Sequence, residues 1–198
     1  MRATRTVPIP GSRRNEITRL GPVFAEACSI LGDRYSDIEF ISPTVNPGLR
    51  QIFATHVEEA GIGDRIKLID GKAESAIAAA DVVLLASGTA SLQTALLGRP
   101  MVAAYKLSPL THLLQRWFKL VKLKHFAMPN LLTDEPMVPE FLQGEATPQA
   151  LADAVADLLD DAERRADIHE KFLVLRADLA RGAQQRAAKA ILDLATGT

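Results

Sequence analysis

The chain has little of several things that commit a protein to a class. It holds one cysteine, Cys28, so no internal disulfide framework is available and a reducing compartment is the expected setting. Aromatic residues make up 5% of it and the formal net charge is -1, which together argue against base stacking and against a general pull on nucleic acid; no nucleic-acid partner is expected. The four histidines, His56, His112, His125 and His169, lie too far apart to form a metal-ligand spacing, and neither metal nor cofactor is expected. No apolar run is long enough to cross a bilayer, and the basic start Met-Arg-Ala-Thr-Arg-Thr is not followed by the apolar region of a signal peptide, so a cytoplasmic location is expected. There is no G-x-G-x-x-G, no G-x-x-x-x-G-K-[ST] and no G-x-S-x-G, which removes the dinucleotide, P-loop and nucleophile-elbow readings.

What is present is organised around Asp81 to Tyr105. An apolar run, Val82 to Leu85, reads as a buried parallel strand. Ser87, Gly88 and Thr89 follow, then a helical pattern ending at Gly98, with Pro100 barring its continuation and Met101 to Ala104 reading as the next strand. Small polar residues therefore stand at the carboxyl end of a parallel strand, where ligands bind in open sheets. Hydroxyls and free N–H groups at a positive helix end suit a phosphate.

The rest repeats the same alternation. A very short strand at Thr6 to Ile9, read as the weak one, runs into Pro10-Gly11-Ser12-Arg13-Arg14-Asn15-Glu16-Ile17 and a helix to about Tyr35. Ser12 or Asn15 is the expected cap of that helix, and Glu16 complements its dipole. Arg13 is either a solvated residue of a capped helix start or a ligand for an anion, and the motif leaves both open. Ile38 to Ile41 is a strand closed by Ser42-Pro43, with a turn at Asn46-Pro47-Gly48 and a helix over 49–60. Ile66 to Ile69 is a strand, followed by a short helix near 74–80. Short Gly-punctuated loops between alternating strands and helices predict an α/β fold: a Rossmann-like parallel sheet with helices on both faces.

Beyond Lys106 the character changes. Residues 108–124 form a basic amphipathic pattern in which Trp117, Lys119 and Lys122 are candidates for contact with an anionic membrane surface, although packing of the apolar side is the commoner outcome. Residues 128–132 and 136–143 read as loop and short turns. Thr147-Pro148 starts a helix, and three helices over 149–160, 162–181 and 183–195 are expected to be peripheral. The implied division is a Rossmann-like domain over 1–145 and a C-terminal helical segment over 146–198.

Five motifs in register carry a resemblance over almost the whole chain. Pro10-Gly11-Ser12-Arg13-x-x-Glu16-Ile17, Ala86-Ser87-Gly88-Thr89-Ala90-x-Leu92, Tyr105-Lys106, Pro129-Asn130-Leu131-Leu132 and Pro139-Glu140-Phe141-Leu142-Gln143 resemble lipid-A-disaccharide synthase. The resemblance implies the donor-binding lobe of a two-lobed B-type glycosyltransferase fold. The activity it implies is metal-independent, inverting transfer of 2,3-diacylglucosamine from UDP-2,3-diacylglucosamine to 2,3-diacylglucosamine 1-phosphate, peripheral to the inner membrane. It places Ser12 and Arg13 on the diphosphate or acceptor phosphate and Ser87, Gly88 and Thr89 on the diphosphate. It puts Gln93 near the ribose hydroxyls, where the family usually has Glu, and Asn130 and Gln143 along the nucleotide-sugar pocket.

The acceptor lobe and its carboxylate base have no counterpart here, and Asp70, Asp81 and Asp134 have ordinary loop or strand-end readings. The catalytic residue is thus unknown, and the chain is expected to need an acceptor-lobe chain or a second protomer for transfer. Alternatives are a non-catalytic UDP-sugar-binding or membrane-surface protein, and a related UDP-GlcNAc transferase or epimerase.

Overall fold

The structure, a computed structural model, describes residues 4–107, 125–133 and 135–180. Trp117, Lys119, Lys122, Asp134 and the helix expected over 183–195 lie outside the described residues.

Six parallel strands form one sheet: β1 (Thr4–Ile9), β2 (Ile38–Thr44), β3 (Ile66–Asp70), β4 (Val82–Ala86), β5 (Met101–Tyr105) and β6 (Glu140–Leu142). Their spatial order is β3-β2-β1-β4-β5-β6, the doubly wound arrangement whose strand order reverses between β1 and β4. Helices α1 (Arg14–Arg34), α2 (Pro47–Glu59) and α6 (Pro148–Asp160) cover one face, with α3 (Ala73–Ala79) and α4 (Thr89–Leu96) on the other. A five-residue helix, α5 (Met128–Leu132), and α7 (Ala162–Leu179) pack against α4.

Burial explains why the central strands are so apolar. Val82 to Ala86 of β4 are buried throughout because helices lie on both sides of them. Helix α1 presents Ile17, Leu20, Phe24, Cys28 and Leu31 to the sheet at three- and four-residue spacing. Burial in this apolar setting pushes the Cys28 thiol well above its usual range, so it packs as a small hydrophobe.

The structure departs from the sequence reading in instructive places. β1 is six residues long and central, held by β2 on one side and β4 on the other. β2 runs on through Pro43 to Thr44; the β1–β2 register stops at Thr6 and Phe40, and the buried Ser42 hydroxyl donates to the Pro8 carbonyl at 2.7 Å. Asn46 does not make a turn: its side chain accepts from the Leu49 N–H at 3.0 Å, capping α2 with Pro47 in its first turn. The 128–143 stretch, read as loop, contains α5 and the edge strand β6. Helix α6 is core rather than peripheral, burying Leu151, Ala152, Val155 and Leu158 against α1, β4 and β5.

That last point is measurable. Leu151 is fully buried, so Leu151→Ala is expected to cost roughly 2–5 kcal/mol in chemical denaturation; a loss within experimental error would put α6 back at the periphery.

Candidate functional site

Where neighbouring parallel strands send their helices to opposite faces, the loops after them diverge and leave a crevice. Here that crevice is a cleft of about 500 Å³ over the carboxyl ends of β1 to β4. The β1 loop lines it with Gly11, Ser12, Arg13 and Glu16, and the β4 loop with Ala86 to Ala90 and Gln93. Pro43, Thr44 and Val45 after β2, and Gly71, Lys72 and Ala73 after β3, complete the wall. Ser12, Arg13, Ser87, Gly88, Thr89 and Gln93 are therefore brought together. Asn130 and Gln143 are not among the residues lining this cleft.

The β1 loop is built around Glu16. Its Oε2 accepts from the backbone N–H of Ser12 at 3.0 Å and of Arg13 at 3.2 Å, while Oε1 lies 3.1 Å from the Arg13 guanidinium. Thus neither Ser12 nor Asn15 caps α1; the N-cap position is Arg13, and Glu16 reaches back to satisfy the loop's donors. Gly11 is required by the same contact. Its φ is +132°, and a Cβ there would sit 2.5 Å from the Glu16 Cβ. The Arg13 side chain is 81% exposed, so exchanging its single ion pair with Glu16 for an anion in the cleft carries little packing cost.

The β4 loop is built on small residues. Gly88, at φ +156°, is the N-cap of α4, and among the described residues beyond its chain neighbours no atom lies within 4 Å of where its Cβ would be. Its conformation opens the first turn of α4 onto the cleft, where N–H groups and the helix dipole favour negative charge. The Ser87 N–H is bound to the Ala104 carbonyl at 2.9 Å and its hydroxyl donates to the Phe126 carbonyl at 3.0 Å. The oxygen lone pairs of Ser87 remain for accepting, and the Thr89 hydroxyl is exposed.

Asn130 is buried. Its Oδ1 accepts from the N–H groups of Met137 at 2.8 Å and Val138 at 2.9 Å, and its Nδ2 donates to the Val138 carbonyl at 2.8 Å. It borders a separate hollow of about 340 Å³ with His125, Phe126, Glu140 and Glu145. Gln143 follows β6 at φ +55°, and its Nε2 is buried with no hydrogen-bond partner among the described residues. Asp70 is ion-paired to Arg50 at 2.9 Å, and Asp81 accepts from the Arg5 N–H at 2.8 Å at the opposite ends of the strands; both keep their ordinary structural roles.

Sequence reasoning missed Lys72. This exposed cation has a left-handed backbone, φ +54°, at the cleft wall, and a lone lysine after Gly gives no signal until the β3 loop is seen beside the β4 loop. Ser91 was also missed: it is fully buried, donates to the Gly88 carbonyl at 2.8 Å and accepts from the Met128 N–H at 3.2 Å.

Comparison with known proteins adds a family. Residues 3–193 match the family model described as "Lipid-A-disaccharide synthetase". The lipid-A-disaccharide synthase of Alkalilimnicola ehrlichii is 44% identical over 189 residues, covering 96% of this chain and 49% of the relative. That of Xanthomonas campestris pv. campestris is 39% identical over 189 residues, covering 95% and 43%. The chain thus spans somewhat under half the length of these relatives.

Among solved structures, the C-terminal domain of a glycosyl transferase group 1 family protein from Francisella tularensis superposes with a TM-score of 0.60 at 19% identity, over 88% of this chain and 85% of that one. WaaG, a glycosyltransferase involved in lipopolysaccharide biosynthesis, gives 0.59 at 13%, over 100% and 48%. At such identities the likeness is one of fold, that of a B-type glycosyltransferase lobe.

Two substitutions test the local account. Gly11→Ala forces a side chain into a backbone that L-residues avoid and onto Glu16, and is expected to destabilise by about 1–3 kcal/mol in denaturant titration. Asn130→Ala strands buried N–H and C=O groups of 137–138 and is expected to cost about 3 kcal/mol. A neutral effect at either position would refute the contact described there.

Proposed function

The chain belongs to the lipid-A-disaccharide synthetase family, and from that membership and the geometry of the cleft we propose that it is the donor-binding lobe of a glycosyltransferase taking UDP-2,3-diacylglucosamine. The observation that carries the reading is the convergence of the Gly11–Glu16 and Ala86–Ala90 loops on one cleft at the reversal of strand order. A diphosphate there meets the first N–H groups of α4, the Thr89 hydroxyl and the Arg13 guanidinium. Gln93, one turn into α4 and exposed, serves the ribose hydroxyls. Gln143 and Asn130 are assigned to the sugar end by the family resemblance, Asn130 acting through the Met137–Val138 backbone it fixes.

Transfer of the sugar to 2,3-diacylglucosamine 1-phosphate leaves UDP carrying new negative charge. Donors fixed beforehand lower the barrier because they need not reorganise as that charge develops, and one such donor is worth roughly 2.7–4 kcal/mol. The carboxylate that lines the cleft, Glu16, is held by the Ser12 and Arg13 N–H groups and the Arg13 guanidinium, so on this reading the base for the acceptor hydroxyl comes from an acceptor lobe, a separate chain or a second protomer. Both sugars carry acyl chains, so on this reading the reaction takes place at a lipid surface, which we take to be the inner membrane. Among the described residues no helix is long and apolar enough to cross a membrane; the association proposed is a peripheral one.

Calorimetric titration with UDP, without metal and again with magnesium, tests this reading. The expected result is metal-independent binding, weakened about tenfold or more by Arg13→Ala, the scale of one lost charge-assisted hydrogen bond. Failure of the folded chain to bind UDP would overturn the cleft assignment.

A further inference from the structure

The hydroxyls of the β4 loop do not stand alone. Ser87 donates to the Phe126 carbonyl, and Ser91, which ties down the Gly88 carbonyl, accepts from the Met128 N–H. The loop that faces the cleft is therefore laced from behind to the 126–128 segment. That segment in turn hangs on one carboxylate. Glu140 Oε1 accepts from the Phe126 N–H at 2.8 Å and from the Ala127 N–H, and Oε2 lies 2.8 Å from His125 Nδ1. The Glu140 side chain is only 10% exposed. A carboxylate taken this far from water needs its partners, and here they are two backbone donors and an imidazole. The Tyr105 ring lies beside Phe126, with centroids 6.0 Å apart, so the segment is also held against the end of β5.

We propose that Glu140 is a positioning residue for the anion-binding loop, fixing Ser87 and Gly88 through the 126–128 backbone before any ligand arrives. The inference rests on the reading of the cleft as a UDP site, but the link itself is present in the ligand-free chain. Its logic is preorganisation: a loop of small residues around a glycine has many conformations, and each one excluded beforehand is an ordering cost not charged to binding. Gly88 has no side chain to hold it, and among the described residues beyond its chain neighbours nothing lies within 4 Å of where a Cβ would be. Its restraint comes from Ser87 on one side and Ser91 on the other, and both hydroxyls lead to the segment Glu140 holds.

The test uses the full chain with Glu140→Ala and Glu140→Gln, each first confirmed folded by thermal denaturation. Glutamine keeps a carbonyl oxygen for the Phe126 and Ala127 N–H groups, whereas alanine removes every contact. Two readouts follow. In the ligand-free protein, the amide NMR signals of Gly88 and Thr89 are expected to move in Glu140→Ala and to return towards wild type in Glu140→Gln. In UDP titration, Glu140→Ala is expected to weaken binding about tenfold, and adding Ser87→Ala to it should cost less than Ser87→Ala costs in the wild type.

Unmoved Gly88 and Thr89 signals would overturn the proposal, as would full additivity of the Glu140 and Ser87 substitutions. If the wild type binds no UDP, the reading of the cleft fails, and the amide comparison decides the role of Glu140 by itself.

Discussion

The reversal of strand order between β1 and β4 is the constraint on which the candidate site depends. The two strands pair in register from Thr6–Val82 to Ile9–Leu85, yet α1 leaves β1 for one face and α4 leaves β4 for the other. The chain must therefore part directly above a buried ladder at the centre of the sheet. Covering both faces drives the burial of β4 and fixes where the loops part. Everything in the cleft is local adjustment to that separation: Gly11 folding over Glu16, Gly88 turning into α4, Lys72 in a left-handed conformation beside them.

The two loops solve the same problem differently. The β1 loop satisfies its donors with its own acidic side chain, so the Ser12 and Arg13 N–H groups are occupied by Glu16 while the Arg13 guanidinium stays accessible. The β4 loop directs its serine hydroxyls backwards, into the 126–128 segment, and leaves the start of α4 facing the cleft. An anion between these two loops thus meets the adaptable Arg13 guanidinium on one side and a set of fixed dipoles on the other, with Lys72 on the cleft wall nearby. For the proposed diphosphate ligand, such a division would separate orientation from charge: the backbone would orient, and the exposed arginine would neutralise.

How much of this was legible in the residues follows from which interactions are local. The β4–α4–β5 unit could be read directly, since its apolar runs, its small-residue turn and Pro100 are all local signals, and the cleft residues from Ser12 to Gln93 fell into place with it. β1 was undervalued because a short strand containing Pro8 owes its order to two neighbours distant in sequence. β6, three residues long and broken by no alternation, exists because β5 pairs with it. Helix α6 looked peripheral because alanines count for little in a hydropathy pattern, yet Ala152, Ala154 and Ala156 are buried. Glu16 was legible as a first-turn acid of α1, but the backbone contacts of Glu16, Ser91 and Glu140 were not, since each depends on which backbone groups a fold leaves in want of a partner.

A crystal structure of the chain soaked with UDP tests the central claim most directly. The account predicts the diphosphate between the Gly11–Arg13 and Gly88–Ala90 segments, with the Arg13 guanidinium turned from Glu16 towards a phosphate oxygen. UDP lodged elsewhere, such as in the hollow beside His125 and Glu140, with the Arg13–Glu16 pair intact, would contradict it.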